Sequence, residues 1–277
     1  MSFWQNVYAQ FDPVAFRLGI FSVHWYGIFY VSALLGAILI AKWFVKKDKL
    51  PIPLNIVDNY CLFTELAVIL GARIGWVLIY APNTGYYLAH PWQIFNPFAN
   101  GEFVGIRGMS YHGAVFGFLI ATFIYSKKYK YSAWKFLDLA AISVPLAYVL
   151  GRVGNFLNQE LVGRVTDVTW GIYVDGVLRH PSQLYEAFLE GFVVFIVVFI
   201  YRKYKKRDGE LIAVYGMAYS IGRFIAEFFR EPDSQMGFVY GGWMTTGQVL
   251  SLLIAILSIL LYFYIVKKSV KVKKIKK

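Results

Sequence analysis

The chain has 277 residues, of which 58% are hydrophobic and only 16% are charged. Soluble domains are ordinarily about 45–50% apolar and about 25% charged, so this composition excludes an ordinary soluble protein and indicates a membrane protein. The net charge is +12, and the mean hydropathy is +0.52. The single cysteine, Cys61, excludes an intrachain disulfide and a cysteine cluster for zinc.

Seven apolar stretches are long enough to cross a bilayer, which requires about 20 mostly apolar residues. The fourth is the weakest, because it begins with polar residues and ends in a polar motif. Backbone groups inside a bilayer must be satisfied within each segment, which favours helices. We therefore predict an all-α polytopic membrane protein forming a single integral-membrane domain over 1–277. The predicted spans are 19–44, 56–80, 108–126, 136–156, 183–201, 210–229 and 243–266.

The distribution of basic residues predicts the orientation of the chain. Twenty of the 28 basic residues, including every lysine, lie in the first, third and fifth connections and in the tail. Seven spans place all of them on one side, which the positive-inside rule makes cytoplasmic. The prediction is an N-terminus outside, a small extracytoplasmic cap over 157–182 and a basic cytoplasmic tail over 267–277. Nucleic-acid binding is disfavoured, because the basic clusters are short and lie at helix ends.

The other eight basic residues are all arginines, and topology does not explain them. They lie within the predicted spans or on the predicted outer side. A guanidinium is permanently charged and has a planar fork that matches a phosphate group. These arginines therefore indicate a site for an anionic group. They are Arg17, Arg73, Arg107, Arg152, Arg164, Arg179, Arg223 and Arg230.

The segment GRVGNFLNQELVGR (151–164) concentrates polar side chains at the end of the fourth span. A continued helix places Arg152, Asn155 and Gln159 on one face, with Glu160 beside it. Charged groups at bilayer depth usually face a bundle interior or a wet cavity. The segment predicts a site for a polar, anionic group at the outer interface. The alternative is an arginine–glutamate pair that only joins two helices.

A second polar face is predicted in the sixth span, in the segment AYSIGRFIAEFFREPD (218–233). Arg223, Glu227 and Arg230 recur at i, i+4 and i+7, and Tyr219 precedes them by one turn. Two arginines that converge on one phosphate would make charge-assisted, bidentate contacts. The alternative is a purely structural pair between Arg223 and Glu227.

Two further motifs carry candidate residues. In RGMSYHGAVFG (107–117), His112 has the side chain of a general base near neutral pH, or alternatively of a hydrogen-bond partner for a neighbouring helix. Gly113 and Gly117 of the same motif form a GxxxG packing pattern. In RHPSQLYEAFLEG (179–191), Gln183, Glu186 and Glu190 share one predicted helix face.

These motifs resemble a known family. YHGAVFG, GRVGNFLNQELVGR, HPSQLYE and GRFIAEFFREPD resemble, in this order and spacing, prolipoprotein diacylglyceryl transferases, and HWYG and GARIG extend the resemblance over most of the chain. Ala114 departs from the family, which often has a second glycine there. The resemblance implies a multi-pass enzyme of the bacterial plasma membrane. It would move the diacylglyceryl group of phosphatidylglycerol to the lipobox cysteine of a preprolipoprotein, form a thioether and release glycerol phosphate.

The resemblance also implies residue roles. Arg152 and Arg223 would be catalytic phosphate clamps, and His112 would be the base for the thiol, with a tyrosine or the lipid itself as the alternative proton acceptor. Glu160 and Glu227 would hold the arginines in place. Neither a metal nor another cofactor is expected, since the arginines supply the positive charge. Asn155 and Tyr26 would orient the headgroup, and Gly163, Tyr219 and Glu186 would support the site.

Two other classes of protein remain as alternatives. A transporter or lipid flippase would also carry charges on span faces, but it is expected to place them near the membrane midplane and often shows repeat symmetry. A membrane scaffold would use the same ion pairs only for packing and would tolerate Arg152→Lys, which loses the guanidinium fork. The enzyme interpretation predicts phosphatidylglycerol, a preprolipoprotein lipobox peptide and bilayer lipid as partners, and no nucleic acid.

Overall fold

Most of the described chain is helical. The computed structural model describes residues 3–19, 21–99, 101–103, 105–232 and 237–275. Among these residues, five helices are long and apolar enough to cross a membrane by length and composition, which confirms a mostly helical, polytopic membrane fold. They are Trp25–Lys47, Leu54–Ile79, Ala133–Leu157, Ser182–Tyr201 and Thr246–Lys267. The fourth predicted span, the weakest by sequence, is one of the five.

The elements follow one another as helices joined by short hairpins. The helices are α1 (Trp25–Lys47), α2 (Leu54–Ile79), α3 (Thr84–Ala89), α4 (Tyr111–Tyr129), α5 (Ala133–Leu157), α6 (Ser182–Glu186), α7 (Val194–Tyr201), α8 (Glu210–Ala226) and α9 (Thr246–Ile275). A π-helical segment, Ala187–Val193, joins α6 to α7, and Val7–Gln10 and Pro91–Phe95 are 3-10 turns. The strands are β1 (Val14–Leu18), β2 (Phe21–His24), β3 (Phe98–Ala99), β4 (Glu102–Phe103), β5 (Ile172–Val174), β6 (Val177–Arg179), β7 (Phe238–Tyr240) and β8 (Met244–Thr245).

The all-α prediction is wrong for the connections, where the described residues form four antiparallel two-stranded sheets. The first span was predicted from residue 19, but β2 pairs with β1 and α1 begins only at Trp25. At the other end, α9 continues into the basic tail, since lysine is a good helix former. Residues 276–277 of that tail, like Asp233 of the second polar motif, lie outside the described residues.

Seven spans stay a prediction. The third and sixth predicted spans correspond to α4 and α8, which have 19 and 17 residues and are not among the five candidate membrane helices. A span of about 30 Å needs about 20 helical residues, so α8 alone falls short of that length.

The chain divides into two compact units, one comprising Met1–Phe44 and Leu137–Lys277 and the other Val45–Phe136. Within the second unit, α2 and α4 touch through small residues. A Cβ added to Gly75 would lie 2.7 Å from the Cα of Gly113, which leaves no room for a side chain. The prediction that the GxxxG pattern of Gly113 and Gly117 serves helix packing is therefore confirmed.

Arg73, one of the arginines that topology does not explain, is buried in the second unit. Its guanidinium donates hydrogen bonds to the carbonyl oxygens of Ile94 and Arg107. It also lies 4.8 Å from the ring centre of Trp76. Arg73 thus fastens the connection between α2 and α4 to α2, because its guanidinium donates to backbone carbonyl groups of that connection.

In the first unit, Asp138 near the start of α5 fixes the start of α8. Its carboxylate accepts hydrogen bonds from the amides of Gly209 at 2.8 Å and Ile212 at 3.0 Å, and it pairs with Lys205 Nζ at 2.8 Å. The first amides of a helix have no partner within the helix, so this carboxylate caps α8 from a neighbouring helix. Joined at their first turns, α5 and α8 bring their last turns to the same end of the unit.

The connection after α5, the predicted cap, packs against the N-terminal segment. Tyr8, Phe156 and Ile172 form a buried hydrophobic cluster, with the rings of Tyr8 and Phe156 centred 5.2 Å apart. The side-chain amide of Gln159 donates to the carbonyls of Tyr8 and Phe11 at 3.0 and 2.8 Å. Through these contacts the N-terminal segment covers the end of α5 that carries the polar motif. Burial in the same cluster raises the pKa of the Tyr8 hydroxyl above its ordinary value.

Candidate active site

The polar face predicted for α5 ends earlier than the sequence suggested. The helix stops at Leu157, and Gln159 has a φ of +56°, so Gln159 does not share the helix face of Arg152 and Asn155. Those two residues remain adjacent, with 3.4 Å between Arg152 Nη1 and Asn155 Oδ1. The amide of Asn155 donates to Glu160 at 2.7 Å. Glu160 therefore orients Asn155.

Arg152 is held by a carboxylate of another helix and by a tyrosine of the same helix, α5. Its Nε lies 2.9 Å from Glu186 Oε2 of α6 and donates to the hydroxyl of Tyr148 at 2.7 Å. The guanidinium also lies 4.9 Å from the ring centre of Tyr148, and that ring meets the edge of Tyr219 at a centre distance of 6.1 Å. The side chain of Arg152 remains 16% exposed. The carboxylate paired with Arg152 is thus Glu186, where the sequence prediction assigned Glu160.

Arg223 lies in the last turn of α8 and contacts three carboxylates. It donates to Glu227, as predicted, and its Nη1 lies 3.5 Å from Glu190 Oε1 and 3.6 Å from Glu186 Oε2. The side chain of Arg223 is 18% exposed. Glu227 is buried and accepts a hydrogen bond from the hydroxyl of Thr245 at 2.6 Å. The intrahelical pair is therefore part of a larger network.

Three arginines converge on Glu186, whose side chain is fully buried at 0% exposure. Besides Arg152 and Arg223, Arg230 reaches its Oε1 at 3.2 Å. The sequence predicted that Arg230 shares the helix face of Arg223, but α8 ends at Ala226. Arg230 therefore reaches the site from the turn that follows the helix. We call this set the arginine–glutamate cluster. Its members are Arg152, Arg223, Arg230, Glu186, Glu190 and Glu227.

Local features of two elements bring the cluster together. A Cβ added to Gly222 would lie 2.7 Å from the carbonyl oxygen of Leu189, so only glycine lets α8 approach the preceding helix this closely. That contact places Arg223 beside Glu190. Glu190 itself lies in the π-helical segment Ala187–Val193. Such segments are rare and occur frequently at functional sites.

Gly163, predicted to support the site, makes a backbone contact that positions the cluster. It forms an isolated β-bridge with Arg230, and its amide donates to the carbonyl of His180 at 3.1 Å. The next residue, Arg164, donates from Nε to the carbonyl of Arg230 at 2.9 Å. Through these contacts the cap holds the segment that carries Arg230. Burial within the cap also lowers the pKa of the His180 imidazole below its ordinary value.

We expect Gly163→Ala to destabilise the cap and lower the activity. A Cβ at this position would lie 2.7 Å from both His180 Cβ and the carbonyl oxygen of Phe229, and overpacking of this kind costs about 1–3 kcal/mol. Chemical unfolding in detergent micelles measures the loss. Gly151→Ala is the matched control, because an added Cβ there meets no atom within 4 Å. Equal stability of the two variants would contradict the packing role.

Tyr26 lies beside the last turns of α5. A Cβ on Gly154 would lie 3.5 Å from Tyr26 Cδ2, so the two helices are in contact at that point. The tyrosine is exposed and borders an open cavity of about 560 Å³. This cavity is large enough for the headgroup of a lipid. Its other lining residues are Ser22, Val23, His24, Gly27 and Asn158.

His112 belongs to the second unit and is described there by itself. It lies in the first turn of α4, after Ser110, whose side chain caps that helix by accepting from the amide of Gly113 at 3.2 Å. The imidazole is exposed, and its Nδ1 lies 3.4 Å from the hydroxyl of Tyr80, which follows α2. A contact of this kind fits the predicted hydrogen bond to a neighbouring helix and leaves the ring accessible for a proton transfer.

Several residues in or beside the arginine–glutamate cluster were given no role by the sequence prediction. Tyr148 stands one helical turn before Arg152, and that spacing was the available signal. Glu190 and Arg230 were recognised only by their spacing, and Thr245 had no signal, because it meets Glu227 from a distant part of the chain. Among the described residues, no three histidine, cysteine or acidic side chains are arranged to hold a metal ion.

Fold and site together define a polytopic helical membrane protein in which α5, α6 and α8 meet at a buried arginine–glutamate cluster. The family model of prolipoprotein diacylglyceryl transferase matches residues 13–264, and the chain belongs to this family. It is similar to three proteins named phosphatidylglycerol–prolipoprotein diacylglyceryl transferase. Identity is 61% with that of Campylobacter lari (97% of this chain, 100% of the relative), 59% with that of Campylobacter curvus (98% and 100%) and 57% with that of Aliarcobacter butzleri (99% and 100%).

Proposed function

We propose that this protein transfers the diacylglyceryl group of phosphatidylglycerol to the cysteine thiol of a prolipoprotein lipobox, the first step of lipoprotein maturation. Relatives that are 57–61% identical over nearly the whole chain are named for this activity. The observation that carries the proposal is the convergence of Arg152, Arg223 and Arg230 on one end of a helix bundle. Fixed guanidiniums of this kind suit the phosphate of an anionic lipid.

We further propose seven membrane spans, with the N-terminus outside and the C-terminus in the cytoplasm of a bacterial cell. The five long apolar helices support this arrangement, with α4 and α8 as the third and sixth spans. The lysines of alternate connections then lie on the cytoplasmic side. The arginine–glutamate cluster lies at the outer end of this single integral-membrane domain, where phosphatidylglycerol of the outer leaflet and a translocated peptide both arrive.

In the proposed reaction, the peptide sulfur attacks the carbon of the diacylglycerol unit that is bonded to the phosphate oxygen. A carbon–sulfur bond forms, the carbon–oxygen bond to the phosphate breaks, and glycerol phosphate leaves. Negative charge builds on the departing phosphate, so prepositioned cations stabilise the transition state. Arg152 and Arg223 serve this purpose, because each guanidinium has five donors and both side chains are partly exposed despite their buried carboxylate partners.

The surrounding residues position the donor lipid. Asn155, oriented by Glu160, offers its amide beside Arg152. Tyr26 borders the adjacent cavity, which takes the glycerol headgroup. Glu227 keeps Arg223 in place and is itself held by Thr245. Gly163 and Tyr219 contribute through the packing described above.

The acceptor thiol needs a base, because a cysteine with a pKa near 8.5 is mostly protonated at neutral pH. We propose His112 for this role. His112→Gln is then expected to lower kcat about 100-fold or more, within the usual range for general-base catalysis. The amide keeps a polar side chain near Tyr80. A variant with full activity would remove His112 as the base.

The activity itself is tested by reconstitution. The protein is placed in vesicles that contain phosphatidylglycerol and is supplied with a peptide that bears a lipobox cysteine. Mass spectrometry of the peptide is expected to show the gain of one diacylglyceryl group. A folded protein that leaves the peptide mass unchanged would contradict the proposed function, and a peptide with serine in place of the cysteine is the control.

A further inference from the structure

We propose that Tyr148 is a positioning residue that couples the two phosphate-binding arginines through its hydroxyl group. The inference rests on the proposed function, in which Arg152 and Arg223 bind the phosphate. Neither the motif spacing nor the expected headgroup contacts assign a role to this tyrosine. Its position between two members of the arginine–glutamate cluster, Arg152 and Glu190, does.

The hydroxyl of Tyr148 stands between two charged side chains. It accepts a hydrogen bond from Arg152 Nε at 2.7 Å and donates its own proton to Glu190 Oε2. The other oxygen of that carboxylate, Oε1, lies 3.5 Å from Arg223 Nη1. The contacts therefore form a continuous relay from Arg152 through Tyr148 and Glu190 to Arg223.

This relay joins three elements of the first unit. Arg152 and Tyr148 belong to α5, Glu190 to the π-helical segment, and Arg223 to α8. A tyrosine hydroxyl is suited to the central place, because it accepts from one partner while it donates to the other. Hydrogen bonds in such a chain polarise one another and strengthen together. The orientation of one guanidinium is thereby set relative to the other.

Removal of the hydroxyl alone is the direct test. Tyr148→Phe keeps the ring against Arg152 and Tyr219 but leaves Glu190 Oε2 without its donor. We expect kcat/KM for phosphatidylglycerol to fall about 10- to 100-fold, as for loss of a hydrogen bond to a charged group. Inhibition by added glycerol phosphate should weaken by a similar factor. The KM for the lipobox peptide should stay within about twofold, because the relay positions only the phosphate site.

Tyr201→Phe is the matched control. The hydroxyl of Tyr201 also lies next to a buried glutamate, 3.1 Å from Glu210 Oε2, and 2.9 Å from the hydroxyl of Tyr262. This hydroxyl group lies far from the arginine–glutamate cluster, beside the start of α8. We expect unchanged kinetics for phosphatidylglycerol and unchanged inhibition by glycerol phosphate, whatever stability the variant loses.

A second variant approaches the same relay from its other side. Glu190→Gln should reproduce the kinetic pattern of Tyr148→Phe, and the double variant should be little worse than either single one, because both changes break one chain. If Tyr148→Phe fails to fold, the kinetics of Glu190→Gln test the relay instead. Independent, multiplicative losses would overturn the relay.

The outcomes separate the inference from the function it rests on. No diacylglyceryl transfer by the folded, unsubstituted protein would refute the proposed function. Normal transfer, together with unchanged phosphatidylglycerol and glycerol phosphate constants in Tyr148→Phe, would refute only the role of Tyr148. Equal losses for the lipid and the peptide would also overturn it, since a general structural defect has that signature.

Discussion

Replacing Arg152 with lysine is expected to lower kcat/KM about 100- to 1000-fold, the range seen when a donor to a developing charge is removed. Lysine keeps the positive charge but has no counterpart of Nε, which contacts both Tyr148 and Glu186. It also loses the planar fork that binds a phosphate through two parallel hydrogen bonds. Initial rates with phosphatidylglycerol vesicles and the lipobox peptide measure the effect.

Arg207→Lys is the control for this substitution. Arg207 also pairs with a glutamate of α8, since its Nη1 lies 3.7 Å from Glu210 Oε1. It precedes the first turn of that helix, whereas the arginine–glutamate cluster is at the opposite end. We expect its activity to equal that of the unsubstituted protein. If Arg152→Lys were as active as this control, the phosphate clamp would be wrong and a packing role for the arginine would be favoured.

Glu186→Gln is expected to impair both stability and activity. The carboxylate is fully buried and faces Arg152, Arg223 and Arg230 at 2.9, 3.6 and 3.2 Å. Loss of its charge removes the carboxylate that the three guanidiniums share, and breaking buried ion pairs in this way costs about 3–5 kcal/mol in the free energy of unfolding. Activity should fall with it, because the arginines repel one another once the central carboxylate is neutral. Chemical unfolding in micelles and the transfer assay measure the two effects.

Glu231→Gln separates this effect from the loss of an ordinary ion pair. Glu231 lies 3.1 Å from Arg179 Nη1, and its side chain is 50% exposed, so its pair is screened by water. We expect a loss of about 1 kcal/mol at most. Comparable stability for Glu186→Gln and Glu231→Gln would show that Glu186 does not hold the arginines together.

The ends of helices α5 and α8 show why some predictions from helical spacing were right and others were wrong. Arg223 and Glu227 meet as helical spacing predicted, since both lie at the end of one helix. The same rule misplaced Gln159 and Arg230, because α5 and α8 stop before these residues. The stop of α5 depends on a backbone turn with positive φ that no glycine announces.

The sequence by itself determined the class of protein and its family, and it identified the arginines of the candidate site. Apolar run length, the placement of lysines and four polar motifs were enough, because they are local properties of the chain. Only the tertiary structure decided which carboxylate meets which arginine. Glu186 and Glu190 reach Arg152 and Arg223 from a separate helix, through a π-helical segment and a close glycine contact. Pairings between distant segments depend on how the helices pack, which no spacing along one helix records.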